Sequence, residues 1–210
     1  MVDATARVAH SRGHKKKQRT RSQLIAAAID VIATQGELFS IGDITDRAGV
    51  SHGTFYNYFT DRDALLAAVI PEVLTAFTVR SAALVRDVDP AVRFASITAM
   101  ALQRSLTAPE ATRLLLRLDA MQRAIVESPT MDPLRRDLMA GFESGRFLVG
   151  PDAATLDVVV GTLLFAGRRL LDEALTDDYR VGVVAQLLRS LGVMADEAKQ
   201  LAAQAVAGAR

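Results

Sequence analysis

The 210 residues contain no cysteine and no tryptophan, and only 5% are aromatic. Without thiols there can be no disulfide, no thiolate metal site and no cysteine nucleophile, and a reducing cytoplasm fits such a chain. Histidine is nearly as scarce, with only His10, His14 and His52. All three stand near the amino end, so a His-based triad or a clustered His metal site is hard to build in the body of the chain. Asp, Glu and Arg are plentiful there, but no spacing among them suggests catalysis; the chain is read as a non-enzyme with no cofactor. No run of about 18 uncharged apolar residues occurs, so no membrane span is expected. The most apolar stretch, Thr155 to Gly167, is bracketed by Asp157 and Arg168. The opening MVDATARVAHSRGHKKK lacks the apolar core of a secretory signal. Strict apolar–polar alternation is absent, as is any repeat with a period of about 20–50 residues.

Half the residues are hydrophobic, dominated by Ala, Leu and Val, which favour helices over strands. The spacing predicts an all-α chain of about nine or ten helices. The first runs over 20–34, followed by 41–48, 51–58, a long one over 61–86 broken or kinked near Pro71, 90–107, 109–127, 132–147, 152–175, 177–192 and 195–207. Asp89-Pro90 opens the helix over 90–107, Gly150-Pro151-Asp152 is a turn, and Asp177 or Asp178 stands where an amino-terminal cap is needed.

Net charge is +1, yet unevenly placed. Residues 1–60 hold 8 basic and 5 acidic side chains (+3), leaving 17 and 19 (−2) for the rest. Residues 1–17 are polar and without periodicity, which predicts a flexible basic arm. A basic end on a neutral body points to a local anionic partner or to a solubilising tail.

The densest pattern is Ser40–Leu65, SIGDITDRAGVSHGTFYNYFTDRDAL. Ser40 precedes Asp43 by three residues, a capping-box spacing, and Ile41, Ile44 and Ala48 share one helix face. Gly49 suits a left-handed helix end, and Ser51 can cap the next helix. Phe55 and Phe59 lie one turn apart on its inner side. His52, Gly53, Tyr56 and Asn57 then point elsewhere, with Thr54 and Tyr58 on the borders. Thr60 and Asp63 repeat the capping spacing ahead of Leu65. Two short helices around a glycine turn, the second with a polar outer face, form a helix-turn-helix.

Ala48-Gly49-Val50-Ser51, Gly53-Thr54-Phe55-Tyr56, Tyr58-Phe59, Arg62 and Leu65 resemble the DNA-binding domain of the TetR family of transcriptional regulators. The resemblance covers about Thr20 to Val69. It implies a DNA-binding domain over 18–65 and a ligand-binding and dimerisation domain over 66–210. The implied partners are double-stranded DNA, a second copy of the chain and a small-molecule effector, with no membrane. Within the motif, Ser51, His52, Gly53, Thr54, Tyr56, Asn57, Tyr58 and Arg62 are the candidate DNA contacts, joined by Lys15, Lys16, Lys17 and Arg19. His52 can read a base if neutral or meet a phosphate if charged, and Tyr58 fits either a phosphate contact or the edge of the core. Gly42 stands where relatives carry a groove contact, so base readout should rest on the second helix.

The segment over 152–175 is apolar nearly all round and must be covered on every side. Either it is the central helix of a monomer or, with the segment over 177–192, it builds the dimer bundle that the resemblance implies. Val159, Leu163, Val184, Leu187 and Leu188 are the candidate interface residues. Gln103, Arg117, Met121, Phe142 and Phe165 are the candidate effector contacts, with Phe94 and Met100 beside them. Arg117 also suits an ion pair with Asp119 or Glu110. A repressor released by its ligand is the expected mode, with activation the alternative.

Overall fold

The computed structural model describes residues 3–35, 38–85, 89–116 and 129–209, in which no strand occurs. The helices are α1 (Asp3–Gln35), α2 (Ile41–Ala48), α3 (His52–Tyr56), α4 (Arg62–Leu84), α5 (Pro90–Thr107), α6 (Pro109–Leu116), α7 (Asp132–Glu143), α8 (Ala153–Asp172), α9 (Asp177–Ser190) and α10 (Ala195–Gly208). A 3-10 turn, Pro129–Met131, leads into α7. The chain divides into two compact units, Met1–Glu72 and Val73–Arg210. The division falls within α4, a few residues beyond the boundary expected at 65.

In the first unit Leu24, Ile25, Ala28 and Ile32 of α1 are buried, as are Ile44, Phe55, Phe59 and Leu65. One expectation changes. Helix α1 begins at Asp3, so residues expected as a non-periodic arm are helical. The segment has no apolar stripe to announce a helix, but it is rich in Ala, Arg and Lys and has no proline, and its one glycine costs only about 1 kcal/mol. Helix α4 continues through Pro71, where a break or kink was expected, and is not broken there. By length and composition α4 alone among the described helices could cross a membrane. Its Leu65, Leu66, Val69 and Ile70 are instead buried against protein.

In the second unit α5 is the hub, touching α6, α7, α8, α9 and α10. Phe94, Ala95 and Leu102 of α5 share a core with Leu156, Val159, Leu187, Leu188 and Val206. Two helices of this unit are capped by aspartates, and the cap expected at Asp177 or Asp178 is not formed. Asp89 accepts from the amide of Ala91 at 2.7 Å, and Asp152 from that of Thr155 at 2.7 Å. At α9 the cap position is Thr176, and Asp177 lies inside the helix, engaged by Arg180.

Arg146 ties distant parts of this unit together. It donates to both carboxylate oxygens of Asp89 at 3.1 and 3.2 Å and to Glu197, in the first turn of α10, at 2.5 Å. Partial burial pushes the Asp89 carboxyl up, but the hydrogen bonds from Arg146 and from the Ala91 and Val92 amides outweigh it and the net direction is down. A carboxyl lowered on folding stabilises the native state above its unfolded value and loses that contribution as pH falls through the folded one. Acid titration from about pH 5 to 3 should therefore weaken this unit, and Asp89→Asn should flatten that stretch of the stability curve. Chemical denaturation at a series of pH values measures the difference.

Candidate nucleic-acid interface

The local rules of the motif are realised in full at α2. Ser40 accepts from the Asp43 amide at 3.2 Å, while the Asp43 carboxylate accepts from the Ser40 amide at 2.6 Å and its hydroxyl at 2.7 Å. Those bonds, the backbone one foremost, hold the Asp43 carboxyl below its ordinary range. Its charge is thus committed to the cap. Gly49 ends α2 in the left-handed region at φ 66°, a conformation that few side chains tolerate. The chain then re-enters a helix at Ser51, whose hydroxyl accepts from the Thr54 amide at 3.2 Å.

Helix α3 is short, and its two sides differ sharply. Phe55 and Phe59 are buried, with ring centroids 5.7 Å apart. Ser51, His52, Gly53, Tyr56 and Asn57 are exposed, while Thr54 and Tyr58 are half-buried. An added Cβ at Gly53 would meet only the Ser51 hydroxyl, at 3.9 Å. Nothing within the protein requires glycine there, so the open space serves whatever lies against α3.

Two residues outside the predicted set shape this face. Thr45, buried on α2, donates its hydroxyl to the Gly42 carbonyl at 3.0 Å and lies 3.3 Å from His52 Nδ1. A hydroxyl has one hydrogen. With it given to Gly42, the oxygen accepts from His52 Nδ1–H, and in the neutral ring Nε2 is left as an acceptor. Gly42 lies beside this arrangement: a Cβ there would make an ordinary contact with the His52 ring at 3.6 Å and a tight one with the Ser40 hydroxyl at 3.2 Å. Neither role is legible in the sequence, because both depend on how α2 meets α3.

The cations are distributed around this face. Lys15, Lys16, Lys17 and Arg19 are exposed on α1. Arg62 is half-buried with its guanidinium 3.9 Å above the Phe39 ring, and Arg47 pairs with Asp30 at 2.8 Å. The cap of α4 differs from the expected Thr60–Asp63 pair. Asp61 accepts from the Ala64 amide at 2.7 Å and from the Thr60 hydroxyl at 3.1 Å. Its carboxyl is held low by that amide first and then by Thr60.

The second unit holds two cavities. An inner one of about 200 Å3 is bordered by Phe94, Thr98, Ser105, Val159, Leu163 and the Arg93–Asp137 ion pair. A wider recess of about 770 Å3 includes Met100, Gln103 and Arg104. Of the candidate effector contacts, Gln103 reaches the wider recess. Phe142 and Phe165 line neither cavity and are exposed, at 47% and 66%. Each lies on the outward stripe of its helix, which periodicity alone does not distinguish from the inward one. Arg117 and Met121 fall outside the described residues.

The candidate interface residues need a similar correction. Val159, Val184, Leu187 and Leu188 are buried within the single chain, and Leu163 is partly buried against the same core. The outward stripe of α8 carries Val158, 49% exposed, Gly161 and Phe165 instead. Both stripes are apolar in the sequence, so the larger aliphatic set gave no clue to which faces in.

Two capped helices around a left-handed glycine, followed by a helical unit containing cavities, define a helix-turn-helix regulator with a separate effector-type domain. Residues 24–69 match the family described as bacterial regulatory proteins, tetR family, and residues 89–204 match the tetracyclin repressor-like C-terminal domain. The chain belongs to the TetR family and is a DNA-binding transcriptional regulator. It is 30% identical to RolR, solved in complex with resorcinol, over 90% of this chain and 96% of that one, with a TM-score of 0.80. Ligand-free RolR matches over 86% and 95% with a TM-score of 0.74. A TetR-family regulator from Pectobacterium atrosepticum, 24% identical over 84% and 92%, shares the fold with a TM-score of 0.60. YvdT of Bacillus subtilis (strain 168), an uncharacterized HTH-type transcriptional regulator, is 43% identical over 54 residues, which span 25% of this chain and 28% of YvdT.

Proposed function

We propose that the protein is a cytoplasmic repressor that binds a palindromic operator as a homodimer and is released by a small effector. The observation that carries the reading is the polar turn Ser51–Asn57, held outward by the sealed Phe55–Phe59 side of α3. Such a turn enters a major groove amino end first, where base edges carry a distinct donor and acceptor pattern. Tyr56, Thr54 and Tyr58 hydroxyls and the cations of α1 and Arg62 would hold phosphates, and His52 would read a base. A gel shift against DNA flanking its own gene tests this: a specific complex at moderate salt is expected, and binding equal to that of unrelated DNA would contradict it.

The His52 geometry makes a sharper statement. In the neutral ring an acceptor at Nε2 would match an amino donor in the groove, cytosine N4 or adenine N6, and the Thr45 oxygen beside Nδ1 would orient the ring for that contact. Thr45→Val should lower discrimination at one position per half-site by about 10-fold, within the range for one good base contact, while leaving non-specific affinity unchanged. Competition binding on single-base operator variants measures it.

Salt dependence tests the cations of α1. Changing Lys15, Lys16 and Lys17 together to Gln should reduce the slope of log affinity against log salt by about 2–3, since each neutralised phosphate contributes about 0.9. An unchanged slope would remove these residues from the interface.

The effector would occupy the inner cavity, whose size and mostly apolar lining suit one small ring bearing a polar group. The RolR complex with resorcinol supports that size class. Ligand binding would favour a form whose recognition helices are mis-spaced, and by linkage DNA would weaken the ligand equally. Helix α4 begins beside α3 in sequence and lines the cavity with Phe77, which makes it the proposed transmitter. The dimer would form through the outward stripes of α8 and α9, where Gly161 and Gly182 have open space at the Cβ position.

A further inference from the structure

The wider recess of the second unit has a different chemistry from the inner cavity. It lies among the carboxy-terminal part of α4, α5 and α10 and has an apolar floor of Phe77, Val92, Met100 and Leu201. Among the described residues no acidic side chain borders it, whereas two arginines do, Arg80 and Arg104. Neither arginine has an ion-pair partner among the described residues. In the inner cavity, by contrast, Arg93 is neutralised by Asp137 at 2.9 Å.

The uncharged donors of the recess are arranged in the same sense. The Ser81 and Thr107 hydroxyls are turned back onto their own helices, donating to the carbonyls of Phe77 at 2.8 Å and Gln103 at 3.3 Å. Gln103 is held the other way. Its amide oxygen accepts from Arg180, a side chain only 3% exposed that also donates to Asp177. An amide whose oxygen is fixed by a buried guanidinium must present its NH2 group on the opposite side. Gln204 on α10 adds a further amide at the border. The wall thus offers two guanidinium groups and an oriented N–H donor over an apolar floor, with no carboxylate among the described lining residues.

We propose that this recess is a second ligand site, separate from the inner cavity, for an amphipathic anion: an apolar body with a carboxylate seated between Arg80, Arg104 and the Gln103 amide. Guanidinium groups bind carboxylates with charge-assisted, often bidentate hydrogen bonds, and a recess of about 770 Å3 accommodates a molecule larger than the inner cavity can hold. Arg104 and Phe77 border both spaces, so an anion in the recess would act on the wall of the effector cavity. The site does not depend on DNA binding and is tested without DNA.

The probe pair is octanoate and its neutral isostere octanamide, titrated calorimetrically into the full chain. Octanoate should bind at least about 10-fold tighter than octanamide, and added salt should reduce the difference. Arg80→Gln with Arg104→Gln should erase the preference while leaving octanamide binding unchanged. Arg80 borders the recess alone, so Arg80→Gln by itself should reduce octanoate affinity several-fold even if the double variant folds poorly. Ile97 borders the inner cavity alone, so Ile97→Phe should leave octanoate binding intact. Equal binding of the two probes, an octanoate affinity unchanged by Arg80→Gln, or loss of octanoate binding in Ile97→Phe would each overturn the proposal.

Discussion

Phe165→Arg should convert the protein to a monomer and lower operator affinity by about 100-fold or more, the factor lost when two linked binding events become independent. Phe165 is 66% exposed on α8, one turn beyond Gly161 and two beyond Val158 on the same stripe. A large aromatic left in water on a helix that also exposes Val158 marks a surface that another apolar surface covers. Because the side chain lies outside the single-chain core, the substitution should leave the fold intact. It would place a guanidinium from each subunit in a desolvated seam, where an unpaired charge is strongly unfavourable. Sedimentation and gel shift on the same samples separate the effects. A folded, dimeric Phe165→Arg protein with normal operator affinity would remove α8 from the interface.

Gly141→Ala should destabilise the second unit by about 2–3 kcal/mol, a typical overpacking cost, and lower its melting temperature by roughly 5–10 °C. The chain doubles back at the end of α7, with the amides of Arg146 and Phe147 donating to the Gly141 carbonyl at 2.8 and 2.9 Å. This lays the Phe147 ring across Gly141, where an added Cβ would stand 2.0 Å from the nearest ring atom. The ring has no room to retreat, being 1% exposed and packed edge-on against Phe94 at 6.1 Å. Gly145, four residues on, provides the comparison. It has φ 71° but open space at its Cβ, so Gly145→Ala incurs only the left-handed strain, about 1–2 kcal/mol. Thermal melts of the two variants should therefore rank Gly141→Ala as the more damaging; the reverse order would mean that the ring contact is relaxed in solution.

What the sequence made legible was whatever depends on neighbours within one or two turns. The Ser40–Asp43 box, the Gly49 helix end, the Ser51 cap and the inward Phe55–Phe59 pair all follow from local spacing, and the structure has each of them. Contacts between elements were not legible. Thr45 is an ordinary buried threonine until α3 brings His52 beside it, and Gly141 is an ordinary helix glycine until Phe147 returns over it. The inward choice on α8 belongs to the same class, because Val159 and Phe165 are equally apolar and only packing on α5 decides between them. Helix α1 ahead of Thr20 escaped for the opposite reason: a polar helix has no stripe, so periodicity is silent where propensity alone extends the element.

The central claim is that two copies of the Ser51–Asn57 turn face DNA together, one helical pitch apart. Selection of bound sequences from random duplex DNA with the full chain tests it most directly. The account predicts an inverted repeat with half-site centres about 10 base pairs, or a multiple of that, apart, in which His52→Ala relaxes one position per half-site and Tyr56→Ala weakens binding without changing the sequence. Enrichment of a single asymmetric site, or an unchanged preference at every position with His52→Ala, would contradict it.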